Sequence, residues 1–213
     1  TGRCLQGCPS GGKLSMEASY IPRAMRAGAR VLPGHRVERV LLERGVVAGV
    51  RAIGPEGGRT LRARKGLVLA AGAIQTPRIL GRSGLFSAHL GLHFQSHPGV
   101  GVAAILRDPV RSIEGPPQGI EIFQSGTLGN DSGKKDLKLA TQLVPPELLL
   151  ARAPVSGATL ARLLKASDRL STWTASVRST AEGRVGEGLA GAAIRYTPDP
   201  RDMESMRQGL HRL

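Results

Sequence analysis

Hydrophobic and polar positions change rhythm along this chain near residue 98. Before it, short runs alternate between turn residues and aliphatic residues. Ser19 suits a helix cap, the helix running through Ala27 with Pro22 in its first turn and Gly28 as the stop. Val37–Leu42 and Val46–Ile53 are β-rich runs parted by Glu43-Arg44-Gly45, a hairpin signal. Pro55-Glu56-Gly57-Gly58 makes a second turn, and Thr60–Ala63 a short strand. Leu67–Ala71 is an unbroken apolar run and predicts a strand buried on both faces. Gly72 and Ala73 then keep the chain slim, Thr76 can cap a helix, and Pro77 suits its first position. In open α/β sheets a buried strand that turns into a helix start is where cofactors bind.

After His97-Pro98 the runs are looser. Val100–Leu106 predicts a strand, and 114–136 is rich in Gly, Pro, Ser and charge, with a candidate strand at Ile120–Phe123. Pro145-Pro146 opens a helix through Leu148–Arg152, and Thr159–Ala166 predicts another with Leu160, Leu163 and Leu164 on one face. Ser171–Thr180 predicts a strand with Ala192–Tyr196 as its pairing partner. Asp199-Pro200 starts a last helix carrying Met203, Met206, Leu210 and Leu213 at helical spacing. No internal repeat is visible. The pattern predicts an α/β chain, more loosely an α+β mix, with a division at residues 1–98 and 99–213.

Composition narrows this picture. A core is affordable at 40% hydrophobic residues, but with 3% aromatic residues it must be aliphatic. No apolar run approaches the roughly 20 residues that span a bilayer, and Thr1-Gly2-Arg3 leads into polar sequence without a signal peptide; a cytoplasmic location is the expectation. The chain starts without Met, close to a Cys-containing loop, and stops inside a helical pattern, which suggests a piece of a longer protein. The net charge of +14 raises nucleic-acid binding. The basic residues are scattered, however, and almost no aromatic ring offers a stacking surface, so no specific nucleic-acid partner is expected.

Three motifs carry candidate chemistry. Gly186-Glu187-Gly188-Leu189-Ala190-Gly191 matches G-x-G-x-x-G, but its flanks predict strand–turn–strand, so a hairpin and not a dinucleotide loop. His89, His93 and His97 would share a helix face, but Gly91 and Pro98 interrupt or bound that helix and no local carboxylate completes a site; no metal is expected. Cys4 and Cys8 form a close pair, readable as a structural loop pair or as a reactive or bridged pair. No G-x-S-x-G nucleophile elbow is present.

Taken in order, several segments resemble the glucose–methanol–choline (GMC) oxidoreductases, which use FAD to oxidise alcohols. Gly72-Ala-Ile-Gln-Thr-Pro-Arg-Ile-Leu-Gly-Arg-Ser-Gly-Leu85 is similar to that family's second signature, with Phe86 where a Gly normally ends it. Cys4–Ser15 and Ser19-Tyr-Ile-Pro22 resemble a loop and helix common in its bacterial branch, and His35-Arg-Val-Glu-Arg-Val40 the strand that edges the flavin's adenine. Leu90–Pro98 resembles the step into the substrate domain. The resemblance implies a partial FAD-binding domain of the FAD/NAD(P)-binding type over 1–98. Over 99–213 it implies most of an antiparallel-sheet substrate domain. It implies FAD as cofactor, touched by Val37 through its backbone and by the turn Ala71-Gly72-Ala73. It implies a small-molecule alcohol as substrate, a hydrophobic one on the loose likeness to bacterial long-chain alcohol oxidases. The family's FAD phosphate motif and its catalytic His have no counterpart here, so no catalytic residue is expected in this chain, and the missing N- and C-terminal parts would be its partners. A non-catalytic module binding a ligand or a partner through 99–213 is the alternative.

Overall fold

A computed structural model describes residues 3–110, 118–124, 137–142 and 144–213. Much of the Gly-, Pro- and Ser-rich stretch at 114–136 lies outside the described residues. The chain divides into two compact units that do not follow a single cut at residue 98. One comprises 23–95 with 181–197, the other the N-terminal residues through 22 with 96–180 and 198–213. The division falls within α1 (Tyr20–Arg26), where the expected helix forms and Gly28, at φ 93°, follows its end.

The first unit is built from hairpins and one helix. β1 (Arg36–Glu43), β2 (Val46–Gly54) and β3 (Gly57–Arg62) form an antiparallel sheet in that order. The β1–β2 turn needs Arg44 and Gly45 at φ 52° and 79°, the conformation that matches strand twist in a two-residue hairpin. Val40, Val50 and Ala52 are buried in this sheet. α2 (Gly72–Arg82) packs on β1 and on β8 (Arg184–Gly188), which pairs with β9 (Gly191–Arg195). The G-x-G-x-x-G stretch is therefore a hairpin, as its flanks predict. Ala192–Tyr196 does not pair with the strand at 171–180; β9's partner is β8.

Two expectations fail here. Leu67–Ala71 forms no strand, and Val68 is 88% exposed. An aliphatic run becomes a buried strand only beside a neighbour that offers its ladder, and among the described residues none pairs with it. The helix also begins at Gly72 after an Ala71 cap, not at Pro77 after a Thr76 cap, so that Pro77 lies inside it. Gly72 turns the chain at φ 82°, and the Thr76 hydroxyl accepts the Ala71 N–H at 3.2 Å. Pro77 leaves the Ala73 carbonyl without its helical donor, and Ala73 is exposed, so water can serve it.

The second unit is a sheet with a helix laid on it. β4 (Gly99–Ile105), β5 (Glu121–Gln124), β6 (Leu137–Thr141) and β7 (Leu170–Val177) are all antiparallel, in the order β4-β7-β6-β5. α3 (Pro146–Arg152) and α4 (Gly157–Lys165) lie in the connection before β7. Leu160 and Leu163 of α4 are half-covered, while Leu164 is exposed and off that face. α5 (Pro200–Arg212) starts at a capping box: Asp199 accepts the Arg201 N–H at 2.8 Å and Asp202 reaches back to the Asp199 N–H. Asp202 is fully buried and also accepts the Ser179 hydroxyl. The core joins Leu137, Ala175, Val177 and Met206, with Val100, Leu139 and Leu213 packed around it. Met203 and Leu210 are exposed, because Met206 and Gly209, not they, take the face toward β7. Each large apolar side chain so buried contributes roughly 1.5–3 kcal/mol.

Candidate functional site

The first unit contains a cleft of about 530 Å³ on the N-terminal half of α2. Gly72, Ala73 and Thr76 line one side, and His89, Gly91 and His93 the other. The first turn of a helix leaves its N–H groups without intrahelical acceptors, and α2 has no acidic residue there to neutralise them. A Cβ built on Gly72 meets nothing within 4 Å, so the helix end is open.

The opposite wall is held against β8. Gly91 sits at φ 71°, its carbonyl accepts the Val185 N–H at 2.7 Å, and a Cβ there would lie 2.1 Å from the Val185 oxygen. Phe94 and Gly183 exchange backbone bonds at 3.1 and 2.7 Å. His93, at φ 59°, pairs through Nδ1 with Glu182, and its ring centroid lies 5.7 Å from that of His89. These histidines are not on a helix. Among the described residues no group of three or more His, Cys, Asp or Glu is placed to hold a metal.

An ion cluster ties the hairpin to α2. Arg78, only 8% exposed, donates from Nε and a terminal nitrogen to Glu187 at 3.1 and 2.9 Å, and to Gln75 at 2.9 Å. Arg82 adds contacts to the same carboxylate at 2.7 and 3.0 Å. The Arg78 and Arg82 hydrogen bonds hold the Glu187 carboxyl down at about 2. The i, i+4 spacing of the two arginines was visible in the sequence, but Glu187 lies 109 residues beyond Arg78, and nothing local announced their meeting.

Of the residues singled out by resemblance, Gly72 and Ala73 line the cleft, Ala71 caps α2, and Val37 lies apart from the cleft lining on β1. Val37 is half-buried opposite Ala52, and β1 is an edge strand among the described residues. Cys4 and Cys8, in the other unit, are free thiols. The Ser10 hydroxyl, with the backbone N–H groups of Gly12 and Lys13, lowers the Cys8 thiol below its usual range.

A mixed α/β chain with antiparallel sheets, and a helix opening at a glycine onto a cleft, is the class these elements define. Residues 1–99 match the family model of the GMC oxidoreductases. The chain is 31% identical over 209 residues to an uncharacterized GMC-type oxidoreductase of Mycobacterium tuberculosis, covering 98% of this chain and 32% of that protein. Against a long-chain-alcohol oxidase of Arabidopsis thaliana the identity is 26% over 232 residues, covering 98% and 30%. Among solved structures, pyridoxine 4-oxidase from Mesorbium loti shares the fold, with a TM-score of 0.69 at 20% identity over 96% of this chain and 43% of that one. The chain belongs to the GMC oxidoreductase family. It spans about a third of the length of the curated relatives it matches along its whole length.

Proposed function

We propose that this chain is the central part of an FAD-dependent oxidoreductase that oxidises the CH–OH group of an alcohol. In this reading residues 1–98 belong to the FAD-binding part and residues 99–213 to the substrate-binding part, with the hairpin at 181–197 folded back on the former. The observation that carries it is the open N-terminus of α2: small residues Ala71-Gly72-Ala73, no acidic neighbour in the first turn, and free space at Gly72. Unpaired N–H groups and the positive helix end suit the ADP part of a dinucleotide. The outer edge of β1 suits adenine, because an unpaired strand edge offers backbone donors and acceptors to a heterocycle without a special side chain. When bound, FAD supplies the hydride acceptor. The residues of this chain bind and orient it; none is assigned to proton transfer.

The likeness to long-chain-alcohol oxidases supports an apolar alcohol as substrate. Each buried CH₂ is worth about 0.8 kcal/mol, so kcat/KM should rise about fourfold per added methylene until the site is filled. The test is the full-length protein, purified and assayed with a dye acceptor against alcohols of increasing length. A yellow protein with alcohol-dependent dye reduction is expected. A colourless protein, or flavin that no alcohol reduces, contradicts the proposal.

A further inference from the structure

We propose that Ser83 is a positioning residue for the flavin's ADP part, pinning β1 to α2 so that Val37 and Gly72 meet one ligand in a fixed relation. The inference rests on the function proposed above and concerns a residue which that reading leaves idle. Ser83 ends α2, and its N–H bonds the Ile79 and Leu80 carbonyls at 3.1 and 3.0 Å. Its hydroxyl works in both directions. It donates to the Ile79 carbonyl at 2.5 Å and accepts the Val40 N–H at 2.7 Å. One hydroxyl has one donor and two acceptor sites, so both bonds hold together.

Val40 is where such a pin matters. Register shifts between Val37 and Arg39 and between Leu41 and Leu42 flank it, so the ladder to β2 is irregular on either side. Val40 is 4% exposed, and no strand lies on the outer edge of β1 among the described residues. Its N–H therefore has Ser83 in place of a ladder partner, and water has little access to replace it. Ile79, the other partner, is 6% exposed, so the bridge joins two buried points. Val37 lies three residues from Val40 on the strand, and Gly72 opens the helix that Ser83 closes. Through this bridge the two elements move as one body.

The experiment uses the full-length protein and reads FAD affinity by flavin fluorescence, at a temperature where every variant is folded. Ser83→Ala should raise the FAD Kd about tenfold, equivalent to about 1.4 kcal/mol. Ser83→Thr, which keeps the hydroxyl, should bind within about twofold of wild type, a difference of about 0.4 kcal/mol. Amide exchange at Val40 should speed up in Ser83→Ala and not in Ser83→Thr. A purely structural serine would lower the melting temperature and leave the folded protein's Kd alone; an unchanged Kd in Ser83→Ala overturns the inference. If Ser83→Ala does not fold, Ser83→Cys takes its place, with a weaker donor and acceptor and the same expected direction. Gly72→Val separates this from the parent reading. If it too leaves the Kd unchanged, the ADP assignment fails; if it weakens FAD while Ser83→Ala does not, only the Ser83 role fails.

Discussion

The two compact units are stabilised by different physics. The unit of 96–180 and 198–213 closes around an apolar core, where Leu137, Ala175, Val177 and Met206 converge from β6, β7 and α5. The unit of 23–95 and 181–197 has a thinner core, chiefly Val40, Val50, Ala52, Ile79 and Val185, and adds a buried arginine on a carboxylate shared with Arg82. Apolar packing is non-directional and tolerant of pH, whereas an ion cluster is directional and tied to protonation. The unit with the open helix end is thus the one whose walls are set by hydrogen bonds and charges. Rigid orientation of a bound group asks for that kind of directional support.

Four experiments would break or sharpen this contrast, and Trp173 helps, being the chain's single tryptophan and sitting in β7 of the apolar unit. Met206→Ala should act most strongly, removing about 2–5 kcal/mol from that unit by leaving a cavity. Urea unfolding followed by Trp173 fluorescence should shift to a clearly lower midpoint. Gly209→Ala comes next, because its Cβ would lie 2.6 Å from the Ala175 Cβ. The fully buried Ala175 cannot yield, and a loss of about 1–3 kcal/mol is expected by the same probe. A Trp173 midpoint unmoved by either substitution would refute the assigned core.

Gly91→Ala tests the other unit. A left-handed backbone and a Cβ 2.1 Å from the Val185 oxygen should cost about 1–3 kcal/mol there. Protease should cut sooner around 85–95, with the Trp173 transition little changed; equal sensitivity of both units would erase the contrast. Glu187→Gln is the mildest and the most diagnostic. The folded carboxyl titrates at about 2 against an ordinary 4.5, so the unfolded chain binds more protons between those values. The stability it adds is fully present above pH 4.5 and disappears as the pH falls through about 2. The glutamine variant should lose this part of the acid dependence, measured by circular dichroism against pH. An acid limb identical to wild type would show that the Arg78–Glu187 contact contributes nothing.

Much of the fold was legible because its signals are local. Arg44-Gly45 marks a hairpin by its turn residues, and Asp199-Pro200 a helix start by its capping chemistry. Cleft residues Gly72 and Ala73 were legible through a motif, although the helix start was placed five residues late. What stayed hidden depended on partners far along the chain. Ala192–Tyr196 was expected beside the strand at 171–180 but pairs with β8, since β-periodicity names a face and not a neighbour. Leu67–Ala71 read as a buried strand because apolar runs promise burial, yet burial requires a surface to lie against. Met203 and Leu210 had helical spacing, but the helix turned Met206 and Gly209 to the sheet.

By itself the sequence determined the aliphatic character of the core, the hairpin turns, the start of the last helix, and the order of segments that resemble GMC oxidoreductases. These follow from backbone preferences and spacing within a few residues. Tertiary structure alone decided that 181–197 joins 23–95, that Arg78 and Arg82 share Glu187, and that Ser83 takes the Val40 N–H. Each of those contacts joins groups more than 40 residues apart, and only the folded chain brings donor and acceptor within reach.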